Sequence, residues 1–184
     1  GGTTDIALIA LGGIVASTSI KVAGDKFDEA IIKYMRKKHK LYIGERTAEE
    51  LKKSIGTAFT RPKEVSMHCS GRDLVTGLPR EVNMTSNDML EALDEPLQQI
   101  CEAAHSVLEK TPPELAADIS DSGIILTGGG ALLWGIDKRI KQRTGIKVAI
   151  AEEPTTCVAK GTGMALDNLR VIESSRLNKR QSYI

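Results

Sequence analysis

Three consecutive glycines are the feature of this sequence best suited to hold a ligand. Gly128, Gly129 and Gly130 follow a short apolar run at residues 124–126 and precede an apolar segment with helical spacing. Because glycine lacks a side chain, successive backbone N–H groups in such a turn can approach an anion or a sugar, and a following helix would add the positive end of its dipole. The same pattern is also typical of a plain tight turn between a strand and a helix.

A second glycine-containing stretch opens the chain. Gly1 and Gly2 lead through Thr3 and Thr4 into an apolar run that predicts a strand. If these residues close a glycine-rich loop, their amides could hold a phosphate, and a threonine hydroxyl could assist. Glycine and threonine are also common wherever a strand begins. Since the chain starts inside this loop and without Met, we expect a fragment of a longer protein.

Glu49 and Lys52 lie three residues apart in a segment with helical spacing. Their side chains should therefore share one helix face, where a surface ion pair would explain them on their own. Thr47 and Glu50 fit the capping-box pattern, which predicts that this helix begins at Thr47.

A metal site formed by side chains is not expected. Cys101 and His105 are spaced as i and i+4 on a predicted helix, but two ligands do not make a zinc site. The three cysteines lie far apart and outside any Cys-x-x-Cys pattern, which is typical of reduced thiols in a cytosolic protein.

Composition excludes several classes of function. The 184 residues include 25 Lys and Arg against 24 Asp and Glu, a net charge of +1, and only 3% are aromatic, which argues against nucleic-acid binding. No apolar run reaches the roughly 18 residues of a membrane-spanning helix. A basic run at residues 33–40 predicts a solvated helix face or, alternatively, a partner surface.

Hydrophobic spacing and turn residues predict alternating strands and helices. Residues 4–11 and 14–23 predict a hairpin, with one face formed by Ile14, Ala16, Thr18, Ile20 and Val22. Asp25 should cap a helix to residue 39, residues 71–73 should form a turn, and a long helix should start at residue 87 or 88, with Pro96 kinking it or opening a new first turn. Further elements are expected at residues 47–58 (helix), 65–69 and 80–84 (strands), 115–118 and 132–145 (helices), 146–151 (strand) and 154–169 (helix). Gly161 and Gly163 should lie inside the last helix and allow close helix packing.

The order of these motifs resembles the second half of proteins in the actin, Hsp70 and sugar-kinase superfamily, in which ATP lies between two similar domains. Residues 1–5 (GGTTD) resemble the tail of its phosphate motif DIGGGTT. Four other stretches resemble the MreB family of bacterial actin homologues, with its relatives Mbl and MreBH, and the likeness continues to about residue 169: residues 22–30 (VAGDKFDEA), 43–49 (IGERTAE), 71–79 (GRDLVTGLP) and 111–119 (TPPELAADI).

The resemblance implies an α/β fold of the actin-like (ribonuclease H-like) type: half of an ATPase, with a small α+β subdomain inserted. Residues 1–26 and 91–159 would form the nucleotide-binding subdomain, and residues 27–90 the small subdomain. Residues 160–184 would be a C-terminal helix and polar tail that pack on a first domain outside this sequence.

The resemblance also implies a site for ATP, with Mg²⁺ organised by acidic groups of the first domain. Thr3 or Thr4 would place the attacking water. Three groups of residues would contact the nucleotide: the phosphate loop Gly1, Gly2 and Thr3; Glu49 and Lys52 beside the adenine and ribose; and Gly128, Gly129, Gly130 and Ala131 beneath the nucleoside and α-phosphate.

The function implied is that of an ATP-binding filament protein that scaffolds cell-wall synthesis at the cytoplasmic face of the plasma membrane. Its partners would be further copies in a head-to-tail filament, a RodZ-like adaptor, the cell-wall elongation machinery and, through the first domain, the membrane surface. The full-length protein would be a slow ATPase, and this fragment alone would be inactive. An Hsp70-like chaperone ATPase, half of a sugar-kinase-type phosphotransferase and a simple interaction module are the alternatives.

Overall fold

The computed structural model describes residues 1–10 and 12–167. Strands and helices alternate along most of the chain, and a 3₁₀ turn at Gly129–Leu132 lies between the strand Ile124–Leu126 and the helix Ile136–Thr144. The elements are β1 Thr4–Ala10, β2 Gly13–Ile20, α1 Gly24–His39, β3 Leu41–Tyr42, α2 Glu45–Ile55, β4 Ser66–Asp73, β5 Pro79–Thr85, α3 Ser86–Ala92, α4 Asp94–Glu109, α5 Pro113–Ser122, β6 Ile124–Leu126, α6 Ile136–Thr144, β7 Val148–Ile150 and α7 Cys157–Asp167. Within the described ranges, β1 and β2 pair antiparallel, β3, β4 and β5 form an antiparallel sheet in that order, and β6 pairs parallel with β7.

The hairpin is confirmed, but one of its faces differs from the prediction. Leu8 pairs with Ala16 and Ile9 with Ile14, so Val15 is left over as a bulge. Ile14 is therefore 57% exposed. Our placement of Ile14 on the same face of β2 as Ala16 is wrong, because the extra residue reverses the alternation of side chains at that point.

One hydrophobic cluster joins α1 and α2 to the three-stranded sheet and continues into α3 and α4. The helices contribute side chains at helical spacing, and the sheet contributes alternate residues of its strands. The cluster includes Phe27, Ile31 and Met35 of α1, Ala48, Leu51 and Ile55 of α2, Leu41, Cys69 and Met84 of the sheet, and Met89, Leu93 and Leu97 of the later helices. The small subdomain region thus shares its core with α4, which also contacts β1, β2 and α6. The proposed division at residues 26 and 90 stays a prediction.

Both α1 and α2 start earlier than predicted. The N–H of Phe27 donates to the carbonyl of Ala23, so α1 begins at Gly24, and Asp25 lies within its first turn without capping it. Similarly, the N–H of Ala48 donates to the carbonyl of Gly44, which is the N-cap of α2. The capping box that we predicted at Thr47 and Glu50 is therefore wrong.

The turn predicted at residues 71–73 is also wrong, because β4 continues to Asp73. A Cβ atom at Gly71 would lie 2.4 Å from the carbonyl oxygen of Tyr42, so the glycine allows β3 to cross close to β4. The turn comes after Asp73, whose carboxylate accepts hydrogen bonds from the N–H groups of Val75 and Thr76, and it closes at Gly77 with φ of +75°.

The region of the predicted long helix contains two helices. Thr85 caps α3, and Asp88 completes a capping box with it, so α3 begins at Ser86, slightly before the predicted start. A second helix, α4, begins at Asp94 and places Pro96 in its first turn, which confirms the predicted new start.

The last described helix is α7. Gly161 and Gly163 lie inside it as predicted, but no described residue outside their own stretch of the helix has an atom within 4 Å of a Cβ built at either one. The predicted close helix packing is therefore absent from the described part of the chain. The predicted end of this helix at residue 169, and the polar tail, lie outside the described residues. None of the described helices combines the length and apolar character needed to cross a bilayer.

Candidate functional site

The first residues of the chain lie against the start of α1. A Cβ atom at Gly1 would lie 3.7 Å from that of Ala23, and one at Gly2 would lie 3.3 Å from a carboxylate oxygen of Asp25. The hydroxyl of Thr4 donates to the carbonyl of Val22 at 2.7 Å, which fixes the start of β1 beside the end of the hairpin. This first loop and the N-terminus of α1 therefore form one continuous surface.

The two threonines differ in their availability for a ligand. Thr3 is exposed, and its hydroxyl donates to the Asp5 carboxylate at 3.1 Å. Thr4 is half-buried and already uses its proton on Val22. A role for either hydroxyl in placing an attacking water stays a prediction. The geometry favours Thr3, because its hydroxyl lies at the surface, whereas the hydroxyl of Thr4 is part-buried and bound to Val22.

Glu49 and Lys52 do not form an ion pair with each other. Glu49 binds Lys53 at 2.7 Å, and the hydrogen bond from Lys53 lowers the pKa of the Glu49 carboxyl. Lys52 instead donates to the Asp28 carboxylate at 2.8 Å and to the carbonyl of Gly24 at 3.2 Å. The surface pair that we considered is therefore wrong, and Lys52 connects α2 to the first turn of α1, beside Gly1.

The three glycines form an open turn. Gly128 has φ of +82°, a conformation that favours glycine, and its N–H donates to the carbonyl of Pro154. Apart from the glycine itself, its two chain neighbours and the backbone of its own helical turn, no described residue has an atom within 4 Å of a Cβ built at Gly128, Gly129 or Gly130. Ala131, by contrast, is buried. A ligand could therefore approach the backbone of this turn from the side on which the glycines lie open.

No α-helix follows the glycines directly, contrary to our prediction. Gly129–Leu132 forms a 3₁₀ turn, Leu133 is extended, and α6 begins only at Ile136. At the interruption, the backbone of Gly135 has φ of +75°, outside the helical region, and the carbonyl of Trp134 accepts a hydrogen bond from the N–H of Ala58. The glycines thus lack the adjacent α-helix dipole that we invoked for anion binding, and they offer only backbone amides.

A short segment attaches α2 to the chain that follows the glycines. Thr57 forms a parallel bridge with Trp134, and its hydroxyl, which is buried, donates to the carbonyl of Phe59 at 2.6 Å. At Gly56, a Cβ atom would lie 2.9 Å from the Leu133 side chain and 2.1 Å from the carbonyl oxygen of Lys52. The helix that carries Lys52 is thereby fixed to Leu133 and Trp134, the extended residues that follow the glycine turn.

Sequence reasoning missed Asp28, Thr57 and Trp134. Asp28 lies 24 residues from its partner Lys52, which is outside any local spacing rule. In the sequence, residue 134 stands out only because it is the single Trp of the chain. The cations of Arg61 and Lys138 lie 4.9 and 4.7 Å from the centre of its indole ring, which makes the ring a local probe of this region.

The residues present fit a nucleotide better than a metal ion. Among the described residues, no group of three or more His, Cys, Asp or Glu side chains is placed to hold a metal. Burial raises the pKa of the Cys101 thiol, while His105 lies at the surface beside Glu109. Open glycine amides are, by contrast, suitable for phosphate and sugar oxygens, and a lysine with a remaining donor is suitable for a sugar oxygen.

Solved structures define the class of protein to which this arrangement belongs. MreB5 of Spiroplasma citri bound to AMPPNP aligns with a TM-score of 0.88 at 41% identity, covering 95% of this chain and 53% of that chain. A MamK double helical filament structure aligns with a TM-score of 0.69 at 21% identity, covering 84% of this chain and 48% of that one, a likeness of fold alone. The chain has an α/β fold of the actin-like type, as predicted.

Sequence comparison then identifies the family. A family model described as MreB/Mbl protein matches residues 1–174. The cell shape-determining protein Mbl of Bacillus cereus is 52% identical over 180 residues, which are 98% of this chain and 53% of that protein. The cell shape-determining protein MreB of Escherichia coli K12 is 50% identical over 167 residues, which are 91% of this chain and 48% of that protein. The chain belongs to the MreB/Mbl family and spans about half the length of the curated relatives it matches.

Proposed function

We propose that this chain forms one side of the ATP site of a filament-forming, actin-like cell-shape protein. The observation that carries the proposal is the likeness to MreB5 of Spiroplasma citri in structures bound to AMPPNP and to ADP, at 41 and 42% identity over 95 and 94% of this chain. Relatives named cell shape-determining proteins support the biological role.

The local geometry agrees with the proposed nucleotide contacts. Gly1, Gly2 and Thr3 would hold phosphate oxygens, and Glu49 and Lys52 would contact the nucleoside. The open turn at residues 128–130 would lie beneath the sugar and α-phosphate, because no described side chain occupies the space over its backbone. Backbone amides suit this task since they bind oxygens and require no change of ionisation.

Hydrolysis requires the γ-phosphate, a Mg²⁺ ion and a water to be held in line. When bound, Mg²⁺ would neutralise charge on the phosphates. Thr3 is the residue of this chain that could orient the water, through its exposed hydroxyl. We propose slow ATP hydrolysis by the full-length protein, with the remaining groups supplied from outside residues 1–184.

Assembly and location form the finer part of the proposal. ATP would favour head-to-tail addition of subunits into filaments on the inner face of the plasma membrane, where they would organise cell-wall synthesis with a RodZ-like adaptor. Val158 and Leu166 of α7 are 68 and 62% exposed, an apolar surface suited to packing against another domain.

The test uses the full-length protein that carries this chain. Isothermal titration with ATP should give micromolar affinity, and electron microscopy on a lipid layer with ATP should reveal paired straight protofilaments. Gly129→Val should lower the ATP affinity at least about 100-fold, because the new side chain would stand where the nucleotide contacts the turn.

Gly13→Val is the matched control, since a Cβ there meets nothing closer than 3.9 Å and valine suits a strand. This control should keep wild-type affinity. Unchanged ATP affinity in Gly129→Val would remove the proposed site. ATP binding without filaments under any nucleotide would leave the site but contradict the assembly.

A further inference from the structure

The ammonium group of Lys52 is fixed between two helices. It donates to the carbonyl of Gly24 at 3.2 Å and to the Asp28 carboxylate at 2.8 Å, and the Lys52 and Asp28 side chains are only 16 and 15% exposed. An ammonium has three N–H donors, so one donor remains after these two bonds. A Cβ built at Gly24 would lie 3.4 Å from Lys52 Nζ and 3.6 Å from the carbonyl oxygen of Gly1, which places the remaining donor close to the first loop.

The pair of Asp28 and Lys52 is poorly explained as a stabilising ion pair. Burial, followed by repulsion from Glu49 and Asp25, raises the pKa of the Asp28 carboxyl, although Lys52 opposes this shift. The second oxygen of Asp28 is buried and has no donor among the described residues. Keeping a charged carboxylate in such a place costs stability, and buried pairs of this kind are characteristic of functional sites.

We propose that Asp28 is a positioning residue of the nucleotide site, which holds the Lys52 ammonium in place so that its free N–H meets the ligand. The inference rests on the proposed nucleotide binding and adds a residue to that site. With Asp28 present, the lysine side chain is ordered before the ligand arrives, so binding does not have to restrict its rotamers.

The charges around Lys52 indicate which part of the nucleotide it contacts. The Lys52 ammonium is bound to Asp28, the carboxylates of Glu49 and Asp25 lie close enough to Asp28 to repel it, and Lys53 is already paired with Glu49. Since Asp28 neutralises Lys52, the position suits the uncharged sugar or base and repels a phosphate. Asp28 should therefore affect ATP and ADP equally, because both carry the same nucleoside.

The experiment is a double-mutant cycle in the full-length protein, with affinities for ATP and ADP measured by titration calorimetry. Asp28→Ala should weaken both nucleotides about tenfold, as expected for loss of a coupled polar pair. Asp28→Asn, which keeps an acceptor for Lys52, should restore part of the loss. In the Lys52→Met background, Asp28→Ala should have no further effect. Glu29→Gln, on the exposed side of α1, is the matched control and should bind as wild type.

Thermal unfolding of the same variants separates the site from the fold. Asp28→Asn should melt no lower than wild type at pH 7, since it removes a charge that burial disfavours.

A loss of affinity that only accompanies a lower melting temperature would overturn the positioning role. So would tighter binding in Asp28→Ala, a changed ratio of ATP to ADP affinity, or a full effect of Asp28→Ala in Lys52→Met. If the wild type binds neither nucleotide, the proposed function fails with it, and binding by wild type without these effects refutes the inference alone.

Discussion

Asp88 illustrates how a single residue joins two parts of this molecule. One carboxylate oxygen accepts hydrogen bonds from the Tyr34 hydroxyl at 2.8 Å and from Lys38 at 3.0 Å, both on α1. The other accepts from the N–H of Thr85 at 3.0 Å, which completes the capping box of α3. Burial acts to raise the pKa of Asp88, but hydrogen bonds from Lys38, Thr85 and Tyr34 outweigh it and lower the pKa to about 2 from the ordinary 3.8.

Asp88→Ala should therefore destabilise the protein in a pH-dependent way. An acid whose pKa is lowered by folding adds stability above its unfolded pKa, and that stability is lost as pH falls towards the folded value. We expect the free energy of unfolding to fall by about 1–2 kcal/mol at pH 7, because the variant loses both the capping box of α3 and the ion pair with Lys38. The difference from wild type should shrink between pH 4 and pH 2, as measured by chemical denaturation followed by circular dichroism.

Glu91→Ala provides the comparison, because Glu91 binds the same Lys38 at 3.0 Å but is 65% exposed. An exposed pair of this kind contributes little, so the variant should lose less than about 0.5 kcal/mol. Equal losses in the two variants, or an Asp88→Ala effect independent of pH, would contradict the role given to Asp88.

At the same scale, sequence spacing predicted which residues share a face but not which residues bind each other. Glu49 and Lys52 were correctly placed on one helix, yet each binds another partner. Helical periodicity fixes neighbours three and four residues apart, whereas the partner of Lys52 is brought near by the packing of α1 on α2. The glycines, in contrast, could be singled out directly, because their lack of a side chain is itself the signal.

At the scale of elements, the segment from Gly56 to Phe59 explains why the chain after the glycines departs from a helix. This segment contacts Leu133, Trp134 and Gly135, which lie about 75 positions later in the sequence. Thr57 and Trp134, for example, are separated by 77 residues. Helical spacing of the apolar residues was present in the sequence, but tertiary hydrogen bonds overrode it. In α1, the hairpin and β7, no tertiary hydrogen bond of this kind among the described residues competes with the local pattern. The sequence therefore predicted the ends of these elements to within a few residues.

Thr57→Val tests whether this segment fixes α2 to the glycine turn. The hydroxyl is buried, and its loss would leave the carbonyl of Phe59 without that donor, so we expect destabilisation of about 1–2 kcal/mol. Because the bridge ends at the single Trp, the emission of Trp134 should also shift. Thr60→Val, at an exposed position three residues later, should remain within about 0.5 kcal/mol of wild type. Unchanged stability and emission in Thr57→Val would argue against the attachment.

At the scale of the whole molecule, the chain would contribute one wall of the proposed cleft, and the curated relatives named above are about twice as long. The open backbone at residues 128–130 and the donor of Lys52 could bind only one side of a nucleotide. Affinity and catalysis for phosphoryl transfer both depend on enclosing the phosphates and aligning water with them. The family could be read from the sequence because its motifs are local, whereas enclosure of a nucleotide, in the function proposed above, would depend on a second wall.

We therefore expect residues 1–184, expressed alone, to bind ATP at least about 100-fold more weakly than the full-length protein and to show negligible ATPase activity. Calorimetric titration would measure the affinity, and phosphate release would measure the activity. Cooperative melting by circular dichroism should first establish that the isolated chain is folded, as we expect from its cluster of buried apolar residues between Phe27 and Ile140. Micromolar binding of ATP by the folded chain would mean that this wall alone holds the nucleotide, and the need for a second wall would then be refuted.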